Sequence, residues 1–113
     1  MAEFSDRLIL CLGCRHRITS EQQRIRINDQ HEHHCTNPAG YRFHIGCFRD
    51  APGCMVWGAS TTEDTWFSGF AWRYALCGGC SAHLGWRFEA IESGFFGLVL
   101  NRLITQEIER LDS

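Results

Sequence analysis

Cys77-Gly78-Gly79-Cys80 repeats the spacing of Cys11-Leu12-Gly13-Cys14, and sixty-two residues lie between the two pairs. Two thiolates on one tight turn face a common point, and two such turns complete a tetrahedral zinc site with Zn–S bonds of ~2.3 Å. The wide separation means that one ion, held by Cys11, Cys14, Cys77 and Cys80, ties the whole chain together instead of building a small finger. Four thiolates leave zinc no position for water or substrate, so the expected ion is structural. Gly13, Gly78 and Gly79 are expected to supply the backbone freedom that ligand-bearing turns need. Redox-active cysteine pairs are the competing reading, but no thioredoxin-like βαβ pattern surrounds them.

Outward from these turns the periodicity is that of strands. Tyr41, Phe43, Ile45 and Cys47 alternate with Arg42, His44 and Gly46, while Leu84, Trp86 and Phe88 share one face opposite Arg87 and Glu89. Residues 8–12, 24–28, 71–77 and 95–100 are further short strands. Turn signals fall at Asn37-Pro38-Ala39-Gly40, Ala51-Pro52-Gly53 and Cys77-Gly78-Gly79-Cys80. Ser20 three residues before Gln23 fits a capping box and one helical turn. Ile104, Ile108 and Leu111 are nearly in line, which predicts a short helix over 103–111. The expected architecture is all-β with minor short helices.

The chain has 113 residues, a length that suits one domain of ~100–150 residues, so a single domain over 1–113 is expected. Its eleven basic residues are all arginine, which excludes lysine Schiff-base chemistry. They are dispersed among acidic residues and the net charge is −2, so no nucleic-acid partner is expected. No run approaches the ~20 apolar residues of a membrane span. Seven cysteines, an odd number with two paired spacings, point to metal-bound thiolates in a reducing compartment and hence a cytoplasmic location.

His31-Glu32-His33-His34-Cys35 has the composition of a second metal cluster, and strand alternation would put His31, His33 and Cys35 on one side. A polar loop before the Asn37-Pro38 turn is the preferred reading. Cys47 and Cys54 read as small buried apolar residues, and His16, His44 and His83 as structural or surface residues.

Trp66, Trp72 and Trp86 fall within 21 residues, and Phe88 follows Trp86 on the same strand face. Ordinary core packing explains tryptophans as readily as a pocket does. The Cys77–Cys80 turn, however, lies between Trp72 and Trp86 and would anchor their strands side by side, making the indole faces converge.

The stretch Ser60-Thr61-Thr62-Glu63-Asp64-Thr65-Trp66-Phe67-Ser68-Gly69-Phe70-Ala71-Trp72, then Cys77-x-x-Cys80 and His83-Leu84-Gly85-Trp86-Arg87-Phe88, resembles the CULT family. This is the ligand-binding domain type of cereblon, the thalidomide target. Asn37-Pro38-x-Gly40-Tyr41 and Phe96-Gly97-Leu98 are similar too, so the motifs run in order from residue 11 to about 98. The resemblance implies a β-tent fold, two antiparallel sheets meeting near a zinc on the four cysteines. It implies a cage walled by Trp66, Trp72 and Trp86 with Phe88 at its base. Main-chain groups of Asp64 and Thr65 would bond a cyclic imide, and Asn37 and Pro38 would cover the pocket.

The expected function is therefore non-catalytic binding of a glutarimide, thalidomide-type or uracil-like ring, either free or as a cyclic imide at a protein C-terminus. In this length there is room for neither the Lon-like domain nor the adaptor-docking segment of full-length cereblon. The likeness is to stand-alone bacterial cereblon-like proteins, and ubiquitin-ligase function is not carried over.

The main alternative is an aromatic-cage reader of a methylated ammonium group, with Glu63 and Asp64 nearby. Methionine sulfoxide reductase B is similar in architecture but needs a nucleophilic cysteine on the late strands, and none follows Cys80. A zinc-ribbon RNA binder is disfavoured by the dispersed arginines.

Overall fold

The structure, a computed structural model, describes residues 4–110. Nine strands are described: β1 (Phe4–Cys11), β2 (Arg17–Ser20), β3 (Glu32–Thr36), β4 (Arg42–Phe48), β5 (Cys54–Thr61), β6 (Ala71–Cys77), β7 (His83–Glu89), β8 (Gly94–Val99) and β9 (Leu103–Arg110). They pair antiparallel in a three-stranded sheet of order β2-β1-β9 and a six-stranded sheet of order β3-β4-β8-β7-β6-β5. The helical content described is two single 3-10 turns, Glu21–Gln23 and Leu100–Arg102. No described helix is long and apolar enough to cross a membrane.

The larger sheet has two working faces because side chains alternate along each strand. One face carries Phe48, Ala75, Cys77, Phe96 and Leu98, which pack with Ile9, Cys11 and Ile18 of the smaller sheet. The other carries Ile45, Cys47, Trp86, Phe88, Phe95 and Val99, covered by Phe67, Trp66 and Phe70 from the loop between β5 and β6. Close packing requires glycine where β7 and β8 meet: a Cβ on Gly85 would lie 2.1 Å from the Gly97 carbonyl oxygen.

Several expectations are corrected. Residues 103–110 form a strand paired with β1 from Cys11↔Leu103 to Phe4↔Arg110, not a helix; Leu111 lies outside the described residues. Ile104 and Ile108 are four apart, a spacing that satisfies both the helical and the strand period, and β1 offers an edge to pair. Residues 24–28 make only the isolated bridges Arg24↔Phe48 and Ile27↔Gln30, the second closed by Asn28 and Asp29 in left-handed conformation (φ 52° and 70°). The expected polar loop at 31–35 is largely β3, in register with β4 from Glu32↔Gly46 to Thr36↔Arg42. Ser20 precedes the first 3-10 turn but makes no side-chain cap bond. Tyr41 is 68% exposed and does not join Phe43, Ile45 and Cys47 in the core.

Leu84 does not share a face with Trp86 and Phe88. Ala75 pairs with Gly85 but Leu76 with His83, so Leu84 is an extra residue on β7. This bulge turns Leu84 into the core between the sheets and swings His83 to the tryptophan face.

Candidate functional site

The two Cys-x-x-Cys turns have the same backbone. Cys11 N–H donates to the His16 carbonyl (2.9 Å) and Arg15 N–H to the Cys11 carbonyl (2.8 Å); Cys77 N–H donates to Ala82 (2.8 Å) and Ser81 N–H to Cys77 (2.8 Å). Arg15 and Ser81 take matching left-handed conformations, φ 68° and 67°. The residue after each second cysteine thus provides the backbone turn, and Gly13, Gly78 and Gly79 are not at positive φ. Gly78 and Gly79 are needed for space: a Cβ on Gly79 would stand 2.9 Å from His16 Cβ and 3.2 Å from Cys14 Sγ, inside the opposing turn.

The four Sγ atoms lie within 4.8 Å of one another, with Cys11–Cys80 at 3.8 Å and Cys14–Cys77 at 3.6 Å. A tetrahedron with ~2.3 Å metal–sulfur bonds has edges of about 3.8 Å, so the spacing fits one tetrahedral ion. Cys11 ends β1 in one sheet and Cys77 ends β6 in the other, so a metal held there ties the two sheets together. Among the described residues no other His, Cys, Asp and Glu group is close enough for a metal. His31 lies against Gly46 and Phe48 on the inter-sheet side, its Nδ1 3.0 Å from the Ile25 carbonyl. His33 packs on Phe67 of the opposite face, so His31, His33 and Cys35 do not share one side. Burial pushes the thiols of Cys35 up to about 11 and of Cys47 and Cys54 to about 12, with nearby cysteine charges adding to the last two. These three cysteines stay neutral and pack as apolar groups.

The second feature is a cavity of about 410 Å³ on the tryptophan face, within the ~300–1,000 Å³ usual for small-ligand sites. Trp72 and Tyr74 of β6 stand opposite Phe88 and Trp86 of β7, so these four rings share one face of two paired strands. Trp66, from the β5–β6 loop, meets Trp86 edge to face at 4.7 Å and 77°. The Trp66 and Trp72 rings are each fixed by their polar end. Trp66 Nε1 donates to the Thr36 carbonyl at 3.0 Å and Trp72 Nε1 to the Glu63 carbonyl at 2.8 Å. Asp64 adopts φ 56°, where the loop turns, and borders the cavity. Asn37 and Pro38 border it from the β3–β4 turn, which Asn37 closes by accepting the Tyr41 N–H on its side chain (2.9 Å).

Of the ligand residues expected from sequence, Asn37, Pro38, Asp64, Trp66, Trp72, Trp86 and Phe88 all border this cavity. Thr65 does not; its hydroxyl turns to the Phe67 backbone at 3.3 to 3.4 Å. Phe43, Tyr74 and His83 border it as well, and the sequence reading placed none of them there. His83 meets Trp86 edge-on at 4.9 Å; its Nε2 sits 2.8 Å from the Gly85 carbonyl and its Nδ1 faces Arg102 Nη1 at 3.5 Å. Burial holds its imidazole below the ordinary histidine value, helped by the Arg102 charge and opposed by the Gly85 bond.

Comparison with known proteins gives the same assignment from sequence. Over 72 residues, 59% of the chain, it is 36% identical to cereblon of Xenopus tropicalis, and over 73 residues, 60% of the chain, 34% identical to that of Danio rerio. This is a CULT-type domain. Cereblon of Drosophila willistoni is 44% identical over a shorter stretch of 46 residues, 36% of the chain. The matches cover 16%, 17% and 8% of those three proteins, so the CULT chain spans less than a fifth of the curated relatives it matches. No family model matches the chain.

Proposed function

We propose that the domain is a non-catalytic binding module that holds a cyclic imide or uracil-like ring in the cavity of Trp66, Trp72 and Trp86. The observation that carries the reading is a standing cavity bordered by three indoles together with Asn37 and Asp64. A glutarimide or uracil ring has one edge of acceptor, donor and acceptor and a largely apolar remainder. Indole faces suit the apolar part, and main-chain groups near Asp64 and Thr65, where the loop turns, suit the polar edge. Each neutral hydrogen bond contributes about 0.5–1.5 kcal/mol net, so after association costs micromolar binding is expected for so small a ligand.

Binding without catalysis is supported by what surrounds the cavity. No cysteine borders it, and both ring nitrogens of His83 are turned to protein partners, so Asp64 and Tyr74 are the remaining ionisable side chains on its wall, with no His or Cys free to pair with them as a nucleophile–base couple. For the metal we propose one zinc ion on Cys11, Cys14, Cys77 and Cys80, with a structural role, because four thiolates complete its coordination. The thiol-rich composition supports a reducing, cytoplasmic setting. A free ring or one at a protein C-terminus both suit the cavity, and neither nucleic acid nor membrane is a proposed partner.

Asp64 beside aromatic rings also supports the second reading, a methylated ammonium held by cation–π attraction. Calorimetry with glutarimide and with a trimethyllysine peptide separates the two. Heat from the imide alone supports the proposal; heat from the peptide alone overturns it.

A further inference from the structure

The aromatic surface does not stop at the cavity. Tyr74 borders the cavity, meets Trp72 at 5.3 Å and 79°, and on its other side stands directly across from Trp57 of β5, with ring centroids 6.0 Å apart. Trp57 is 63% exposed and Met55, two residues earlier on the same face of β5, is 46% exposed. With Tyr74, 37% exposed, they form a contiguous exposed apolar patch, the kind of surface that marks a binding site where a single exposed side chain would not. The strand beneath, Cys54–Thr61, is the end strand of the six-stranded sheet and carries no charged residue. The ledge is also held in place. β5 bulges after Trp57, where Gly58 takes φ 95°, its carbonyl accepts the Arg73 Nε–H at 2.8 Å, and the Tyr74 ring packs 3.4 Å from where a Gly58 Cβ would be.

We infer that Trp57 and Tyr74 form an outer subsite that receives a planar apolar group attached to the ring held in the cavity. The inference rests on the ring-binding reading above and deepens it, because a ledge continuous with the cavity through Tyr74 favours a substituted ring over a free nucleobase or bare imide. The occupant is apolar because the ledge offers indole and phenol faces and the Met55 thioether, with no charge on its strand. Aromatic pairing of this kind corresponds to roughly a three- to ten-fold gain in affinity.

The test compares glutarimide with 3-benzamidoglutarimide by calorimetry on the full chain and on Trp57→Ala and Trp57→Phe. The expected result is tighter binding of the benzamide by the unmodified chain, loss of that gain in Trp57→Ala, its partial return in Trp57→Phe, and unchanged binding of glutarimide in all three. Equal affinity for the two compounds, or an equal gain in Trp57→Ala, overturns the subsite while leaving ring binding intact. Silence from both compounds overturns the cavity reading and the subsite with it. Circular dichroism of the variants reports whether the exposed position has disturbed the fold.

Discussion

The Trp72 indole N–H donates to the Glu63 carbonyl at 2.8 Å, so one bond fixes both a wall of the cavity and the loop that carries Asp64 and Trp66. Trp72→Phe keeps an aromatic ring and removes the donor. A neutral hydrogen bond of this kind contributes about 0.5–1.5 kcal/mol to stability, so Trp72→Phe should lower the melting temperature by several degrees, and ligand affinity should fall by up to roughly ten-fold as the loop loosens. Calorimetry beside a melting curve checks both. Affinity unchanged in Trp72→Phe would mean that the loop is held by other contacts.

Metal removal should unfold the domain. Apparent zinc binding in small four-ligand sites is about 10–16 kcal/mol, as large as the ~5–15 kcal/mol total stability of an ordinary domain. Cys14 is exposed, so Cys14→Ser removes a ligand at little packing cost. The expected outcome is a chain that no longer holds one equivalent of zinc by elemental analysis and shows no cooperative melting transition. A Cys14→Ser domain that melts like the parent contradicts the metal assignment.

Gly97 lies opposite Trp86, and a Cβ there would stand 2.9 Å from the Phe88 ring and 3.0 Å from Ile45 Cδ1. Phe88 is fully buried and borders the cavity, which is the side towards which its ring can yield. Gly97→Ala is expected to destabilise the domain by about 1–3 kcal/mol and to weaken ligand binding by displacing Phe88 into the cavity. Denaturant titration and calorimetry measure the two effects.

His83 makes one part of stability depend on pH. Its folded pKa is lowered, so between that value and the ordinary 6.5 the unfolded chain binds more proton than the folded one. The contribution is fully present above about pH 6.5 and is lost as pH falls towards the folded pKa. The measurement is unfolding free energy from pH 8 to 5 for the parent and for His83→Asn, since the difference removes the acid sensitivity of metal-bound thiolates common to both. A parent curve parallel to that of His83→Asn would show that His83 titrates normally.

What the sequence revealed follows from how local each signal is. The clustering of Cys11, Cys14, Cys77 and Cys80 was legible because two residues on one turn share a target whatever the rest of the chain does. Trp66, Trp72, Trp86 and Phe88 could be grouped because they lie near that turn and match a family motif. Phe43 and Tyr74 looked like ordinary strand residues, since only the sheet order brings them beside the tryptophans. His83 was hidden by the bulge at Leu84, which reverses the alternation over a single residue. The last strand looks helical in the sequence because Ile104 and Ile108 satisfy two periods at once, and the decision belongs to β1, about a hundred residues away in sequence. The glycines of the Cys77 turn were recognised but given the wrong role, since the clash with His16 exists only when the two turns meet.

The most direct measurement is a titration of the domain with thalidomide and with its N-methyl imide analogue, followed by tryptophan fluorescence. If three indoles enclose a ring whose imide edge is bonded to the main chain, thalidomide changes the emission with micromolar affinity, and the methylated compound, lacking the donor and carrying added bulk, leaves it unchanged. Equal responses to the two compounds, or no response to either, would contradict it.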